Sequence, residues 1–415
     1  MMNVSRFGST AVLVVVSGVL LVSLGCGSGS SGNSSITKAA ATSLVVADGS
    51  NSRILIYNAP FSTDESASIV LGQPDFTQRV SGVGGAASAT TLFYPAGLAK
   101  DSAGDLYVAS GCQVLQFQPP FATGMSATVL IGPPFTENAP VNCSSPASVG
   151  ASSMVFDSKG NLWLTEINSG RVTEYVPPFT GGMSATLAIG QPSLENTSPC
   201  NGMDFGKGDT YPPPTANTLC EPLGATFDSK GNLWVADLGN QRVLEFVPPF
   251  STGMAASLEL GQPAATAFTS NGFATETASS LHAPNALTFD SSGNLWVADT
   301  EEGRVLEYVP PFSNGMAATM VIGEVGFGPC TQNCNSLNAN TVGTAVALTF
   351  DSSGNLIVAD NTDNRVLIFA PPFSNGMAAT TVIGQTNMTS GAENQGDSAS
   401  PTASTLWGPG GVLTF

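Results

Sequence analysis

The chain has 415 residues and a formal net charge of −18, from 12 Lys and Arg against 30 Asp and Glu. Binding a phosphate backbone requires clustered Lys and Arg, so this composition excludes nucleic acid as a partner. The acidic balance serves solubility more readily than it serves a cationic partner.

The N-terminus reads as an export signal over residues 1–26. Arg6 supplies the positive start, and Ala11 to Leu24 is a 14-residue apolar run. That run falls short of the ~20 residues a membrane span requires. Ser23-Leu24-Gly25-Cys26 follows and resembles a bacterial lipobox, with small Gly25 before the cysteine and Leu24 one place later than usual. The resemblance implies lipidation of Cys26. It also implies a place in the bacterial cell envelope, periplasmic or cell-surface, with the membrane reached through a lipid anchor only. Ordinary signal cleavage near Gly25 is the alternative. Residues 27–42 form a Gly/Ser-rich tether.

Residues 43–415 are built from one repeated unit. Phe227 to Phe250 reads F-D-S-K-G-N-L-W-V-A-D-L-G-N-Q-R-V-L-E-F-V-P-P-F. It recurs at Phe289–Phe312 and Phe350–Phe373, more loosely at Phe156–Phe179 and Lys100–Phe121, and without its front at Ser43. Short apolar runs between turn residues predict strands. In this unit they are a (Ala225–Phe227), b (Asn232–Asp237), c (Arg242–Val247) and d (Ser257–Leu260). Asp228-Ser-Lys-Gly231 is a hairpin turn between a and b, because Gly supplies φ > 0 and Asp caps the turn. Leu238-Gly-Asn240 makes the b–c reversal. Pro248-Pro249 stops strand pairing and turns the chain toward d. Strands b and d are apolar at nearly every residue, which requires cover on both faces. Meanders of this kind must therefore stack against one another.

The spacing from the hairpin Asp to the Gly ending strand d is 33 residues at Asp157–Gly190, Asp228–Gly261, Asp290–Gly323 and Asp351–Gly384, and 31 at Asp101–Gly132. The connections between units vary, so insertions gather on one side of a repeat array. The N-terminal copy lacks strand a. Leu413-Thr414-Phe415 matches Leu287-Thr288-Phe289 and supplies it, with the register judged from Pro409. The fold class is thus all-β, a six-bladed β-propeller closed by the C-terminal strand, which removes open sheet edges. The pattern Pro-x-Gly-(Leu/Ala)…Asp-x-x-Gly-Asn-Leu-(Trp/Tyr)-Val-Ala-Asp…Asn-x-Arg-Val resembles the NHL-repeat β-propeller family. It covers about residues 43–415. One departure is that the family's Asn-His-Leu run reads Asn240-Gln241-Arg242 or Asp363-Asn364-Arg365 here.

With Cys26 set aside, six cysteines remain: Cys112, Cys143, Cys200, Cys220, Cys330 and Cys334. An even set in an exported chain reads as disulfides. Fifteen pairings are open; proximity along the chain favours Cys112–Cys143, Cys200–Cys220 and Cys330–Cys334. Cys330 and Cys334 lack further ligands nearby for a metal.

Chemistry is sparse. The single histidine, His282, cannot build a multi-histidine metal site. Gly160 to Glu166 resembles the streptogramin lyase propellers, whose catalytic histidines have no match here. Gluconolactonase-type propellers hold a cation over the channel with Glu, Asn and Asp. The a strands expected to line that channel offer Lys100 and Asn285 alone, too few oxygens for such an ion. No cofactor, metal site or catalytic residue is assigned. Asp48, Glu166, Asp237, Asp299 and Asp360 end strand b, while Arg53, Arg171, Arg242, Arg304 and Arg365 begin strand c. They read as a ring of structural ion pairs, broken at Ser110 and Gln113. Trp163, Trp234 and Trp296 share one position and read as blade-to-blade packing. The expected function is a binding scaffold for a protein or glycan through the long d–a loops. The alternative is a secreted hydrolase or lyase drawing on Asp204, Asp209, Glu221 or Glu276. The membrane tether places the a–b turns toward the bilayer and the d–a loops outward.

Overall fold

The computed structural model describes residues 42–80, 88–132, 150–198, 200, 212–263, 268, 275–328 and 336–415. They form six four-stranded antiparallel sheets, each one blade. Blades are numbered here from the one containing Ser43. In blade 4 the b strand is Leu233–Asp237, buried at every residue. Asp237 lies opposite Arg242, and Leu233 opposite Phe246. Strand a runs from Pro222 to Phe227, longer than Ala225–Phe227, because a register shift between Pro222 and Ala225 lets the chain join the sheet sooner.

The a–b hairpin closes on Asp228. Its Oδ1 accepts the N–H groups of Lys230 and Asn232, both at 2.9 Å. Its Oδ2 accepts Asn232 Nδ2 at 2.9 Å and Trp234 Nε1 at 3.4 Å. Gly231 sits at φ +83°, where an L side chain is strained. Both carboxylate oxygens are therefore engaged by the turn itself. Every c–d connection opens on a cis X–Pro peptide, from Ala59-Pro60 to Pro371-Pro372.

The core lies between blades. Trp163 of blade 3 inserts between Phe227 and Phe250 of blade 4, with ring centroids 5.8 and 5.0 Å apart. Tyr107, Trp234 and Trp296 do the same at their seams. All four rings are buried. Such edge-to-face contacts add about 0.5–1.5 kcal/mol beyond burial. The position read from sequence as blade packing has that role.

The ring closes as expected, with Pro409–Thr414 paired antiparallel to Ser43–Asp48. The register differs from the Leu-Thr-Phe match by one residue. Val412 faces Val46 as Ala225 faces Val235, so Thr414, not Phe415, occupies the Phe227 place. Close approach of the inner strands decides this. A Cβ on Gly411 would lie 2.1 Å from Ala96 O, and one on Gly224 would lie 2.5 Å from Asn285 O. The other register would put Val412 at that contact. Phe415 then continues across the seam between blades 1 and 2. Here Val45 stands in the tryptophan place and Lys100 in the strand-a phenylalanine place. Phe415 fills the gap, 5.6 Å from Phe121 and under Lys100 Nζ at 5.0 Å. Lys100 also donates to Thr414 O at 2.7 Å, so it serves closure.

Ser43 and Phe415 exchange backbone hydrogen bonds of 3.2 and 2.9 Å. Thr42 Oγ1 lies 2.7 Å from Ser352 Oγ in the a–b turn of blade 6. The described ends of the propeller thus sit beside the a–b turns, away from the d–a connections.

Candidate functional site

The face bearing the b–c turns and d–a connections is organised by buried arginines. In blade 1, Arg53 Nε donates to Asp48 Oδ2 at 2.7 Å. Its Nη1 reaches Phe76 O at 2.6 Å, and its Nη2 reaches Thr402 O and Thr405 O at 3.0 and 2.8 Å. Asp48 Oδ1 accepts the N–H of Trp407 at 2.8 Å. One ion pair therefore fastens the b–c turn to the turn that leads into strand a. Glu166–Arg171, Asp237–Arg242, Asp299–Arg304 and Asp360–Arg365 repeat it. Burial pushes the Asp48 and Asp237 carboxyls above the ordinary range, against the pull of their arginines. These arginines donate inward, into the pair and the backbone, which makes the ring structural. Blade 2 replaces the pair with buried Ser110 and Gln113; Ser110 Oγ accepts the N–H of Phe93 at 2.9 Å.

The residue just before strand a rings the channel mouth on this face. It is Tyr94, Gly150, Glu221, Ala283, Thr344 and Gly408 in blades 2, 3, 4, 5, 6 and 1. Gly408 sits at φ +63°, and Tyr94, Glu221 and Ala283 at +43°, +51° and +55°. A left-handed backbone suits glycine, and a bulky residue there is an outlier costing about 1–3 kcal/mol. Tyr94 nevertheless holds it while 58% exposed, with Phe93 edge-on at 4.9 Å. Across the same seam Arg79 Cζ lies 5.1 Å over the ring of Trp407. The seam is narrow: a Cβ on Gly49 would meet Gly408 O at 3.0 Å and Pro95 O at 3.4 Å. Arg79 is exposed and makes no ion pair among the described residues. Sequence reading passed over Tyr94, Arg79 and Trp407: Tyr94 and Trp407 stand just ahead of strand a, at places where residue type varies from blade to blade, and Arg79 lies in a connection of variable length. The break in the ion-pair ring at blade 2 was the available signal.

Blade 5 is a second exception, where sequence reading singled out blade 2 alone. Glu276, Glu302 and Glu324 gather around His282 at its outer end. His282 Nδ1 pairs with Glu302 Oε1, and its backbone N–H donates to Asp299 Oδ1. Burial, then a hydrogen bond to Glu302 and that group's charge, raises Glu276 to about 7. Burial raises Glu324 to about 7 against the pull of Arg304. Of the acids named from sequence, Glu276 joins this cluster and Glu221 stands alone at the mouth. Asp204 and Asp209 lie outside the described residues.

Cys200 and Cys220 form a disulfide across 20 residues. Cys112 is disulfide-bonded as well. Its expected partner Cys143 lies outside the described residues, as do Cys26, Cys330 and Cys334.

The NHL repeat family matches residues 219–246, which is strands a to c of blade 4 with the residues leading into them. No curated protein matches the chain. Among solved structures, a virginiamycin B lyase from Staphylococcus aureus is 12% identical, with coverage of 68% of this chain and 71% of that one and a TM-score of 0.38. A protein of unknown function from Bacteroides caccae is 10% identical, covering 83% and 98%, with a TM-score of 0.45. The WD40 propeller domain of Doa1 is 9% identical, covering 83% and 79%, with a TM-score of 0.43. None of these likenesses bears on activity. The chain is a six-bladed β-propeller whose fourth blade carries a match to the NHL repeat family.

Proposed function

We propose that this protein is an exported, lipid-anchored propeller that binds a protein or glycan at the mouth of its d–a face. The observation that carries the reading is Tyr94. An exposed aromatic ring kept on a strained backbone costs stability, and strain of this kind gathers where a ligand is held. Aromatic side chains and Arg are also the residues that dominate interface energetics, and exposed Arg79 stacked over Trp407 adds a guanidinium on the same face. The supports for export are the Arg6 and Ala11–Leu24 signal, Cys26, and the disulfides on the same face as the mouth. Anchoring at Cys26, 17 positions before Ser43, gives a reach of roughly 23 Å on average and would leave the mouth facing away from the membrane.

The test uses the anchored chain in pull-downs and on a glycan array, beside Tyr94→Gly and Arg79→Gln. Tyr94→Gly matches the backbone of Gly408, so the fold persists while capture falls at least tenfold. Equal capture by all three would discard the mouth as the site.

A second reading is a hydrolase or lyase that uses Glu276. The observation favouring it is a carboxyl raised to about 7 beside a His–Glu pair, the arrangement of a general acid or base at neutral pH. Turnover of an ester or lactone panel that disappears in Glu276→Gln would favour it over binding alone.

A further inference from the structure

In four blades a buried glutamine follows the glycine that ends strand d. Gln73, Gln191, Gln262 and Gln385 donate Nε2 to Ser52 O, Gly170 O, Gln241 O and Asn364 O at 3.0, 3.1, 2.8 and 2.9 Å. Each acceptor is the last residue of the b–c turn. Blade 5 has Glu324 in this place. A second donor is replaced as well. Asn51 and Asn240 each donate Nδ2 to the strand-b Asp at 2.8 Å, and blade 5 has Glu302 there. A carboxylate is an acceptor only and can donate only when protonated. Glu276, in the turn leading into blade 5, faces Glu302, whose proximity helps raise its carboxyl, and two facing carboxyls stay together only while a proton is held between them. Glu302 also takes His282 Nδ1. The other charged groups facing this cluster are Asp299 and Arg304 from strands b and c, and exposed Glu301 from the b–c turn. Arg304 is committed to Asp299, Phe327 O and Ser280 O.

We propose that Glu276, His282, Glu302 and Glu324 form a proton-held latch that fastens the lead-in turn of blade 5 to its b–c turn and opens on deprotonation. In blades 1 and 4 these two places are amides, which do not titrate: the glutamine bonds the b–c turn and the asparagine the strand-b Asp, with Asn51 also reaching Asn394 in the connection that leads into blade 1. In blade 5 both places are carboxyls, which do titrate, and Glu302 is the one that meets His282 of the lead-in turn. The lead-in turn ends at Ala283, a residue of the mouth ring, so proton loss at the blade's outer end reaches the mouth through a few residues of chain.

The sign follows from burial. Glu276 and Glu324 both stand at about 7 in the fold, above the ordinary value of 4.5. The folded chain therefore binds more protons than the unfolded chain between these values. The stabilisation is complete below about pH 4.5 and is lost as pH rises through about 7.

The test is thermal melting of the full chain between pH 5.5 and 8.5, with deuterium exchange of residues 275–283 corrected for intrinsic rates. Residues 215–221 of blade 4 serve as the internal control. The wild type is expected to lose several degrees of Tm over this range, with exchange rising at least tenfold at 275–283 and unchanged at 215–221. Glu324→Gln restores the amide of the other blades; it should melt higher than wild type at pH 8.5 and lose at least half of the slope. Glu276→Gln should flatten the exchange response without touching strand pairing. Equal slopes in all three proteins, or equal pH response at the two lead-in turns, would overturn the latch. Should Glu324→Gln fail to fold, the wild-type exchange comparison decides.

Discussion

Removing the aromatic ring of Phe415 tests the closing seam directly. Four other seams are filled by a Trp or Tyr against two phenylalanines, whereas the seam between blades 1 and 2 has Val45 and Lys100 in those places and borrows Phe415. A fully buried Phe→Ala change costs about 3–5 kcal/mol. Phe415 is half-buried, so the expected loss is about half of that, roughly 2 kcal/mol. The backbone pairing of Phe415 with Ser43 is kept, so the deficit is one of packing. The shift per kcal/mol shrinks with chain length, so Tm should fall by a few degrees. Deleting residues 409–415 goes further, since it also strips Val412 from the core and bares strand Ser43–Asp48; insolubility is expected. Differential scanning fluorimetry reads the first variant, and soluble yield with limited proteolysis reads the second. A Phe415→Ala protein that melts with the parent, or a soluble truncation with a parental Tm, would refute the account of closure.

Arg365→Met should destabilise by about 3–5 kcal/mol, because Asp360 stays buried without its partner; the Asp360→Asn, Arg365→Met double variant should recover part of it in chemical denaturation. Trp234→Ala should cost about 3–5 kcal/mol and be read as a lower denaturation midpoint, while Trp234→Phe costs less. Reduction of Cys200–Cys220, which closes 20 residues, should lower stability by about 3 kcal/mol, and non-reducing mass spectrometry should find all six cysteines after Cys26 oxidised. Calcium and a chelator should leave Tm unchanged, since the hairpin carboxylates already accept N–H donors; a shift of several degrees would point to a cation site.

The sequence by itself determined the blade. Asp228, Gly231 and Asn232 set a hairpin through local hydrogen bonds, and apolar residues at every place in strand b demanded two covered faces. Such signals lie within a few residues of one another and repeat, so they survive without knowledge of the partners. The ion-pair ring was legible for the same reason, five residues separating Asp237 from Arg242. The tertiary structure decided what depends on surfaces meeting across blades. The closing strand settled by one residue because Gly411 alone tolerates Ala96 O at its side, a contact between segments more than 300 residues apart. The same holds for the mouth and the latch. Arg79 and Trp407 meet from connections more than 300 residues apart, and Glu276, His282, Glu302 and Glu324 become a cluster only once blade 5 folds. A carboxyl in place of an amide is a single letter in the chain. Its consequence appears when burial removes the water that would otherwise carry its charge.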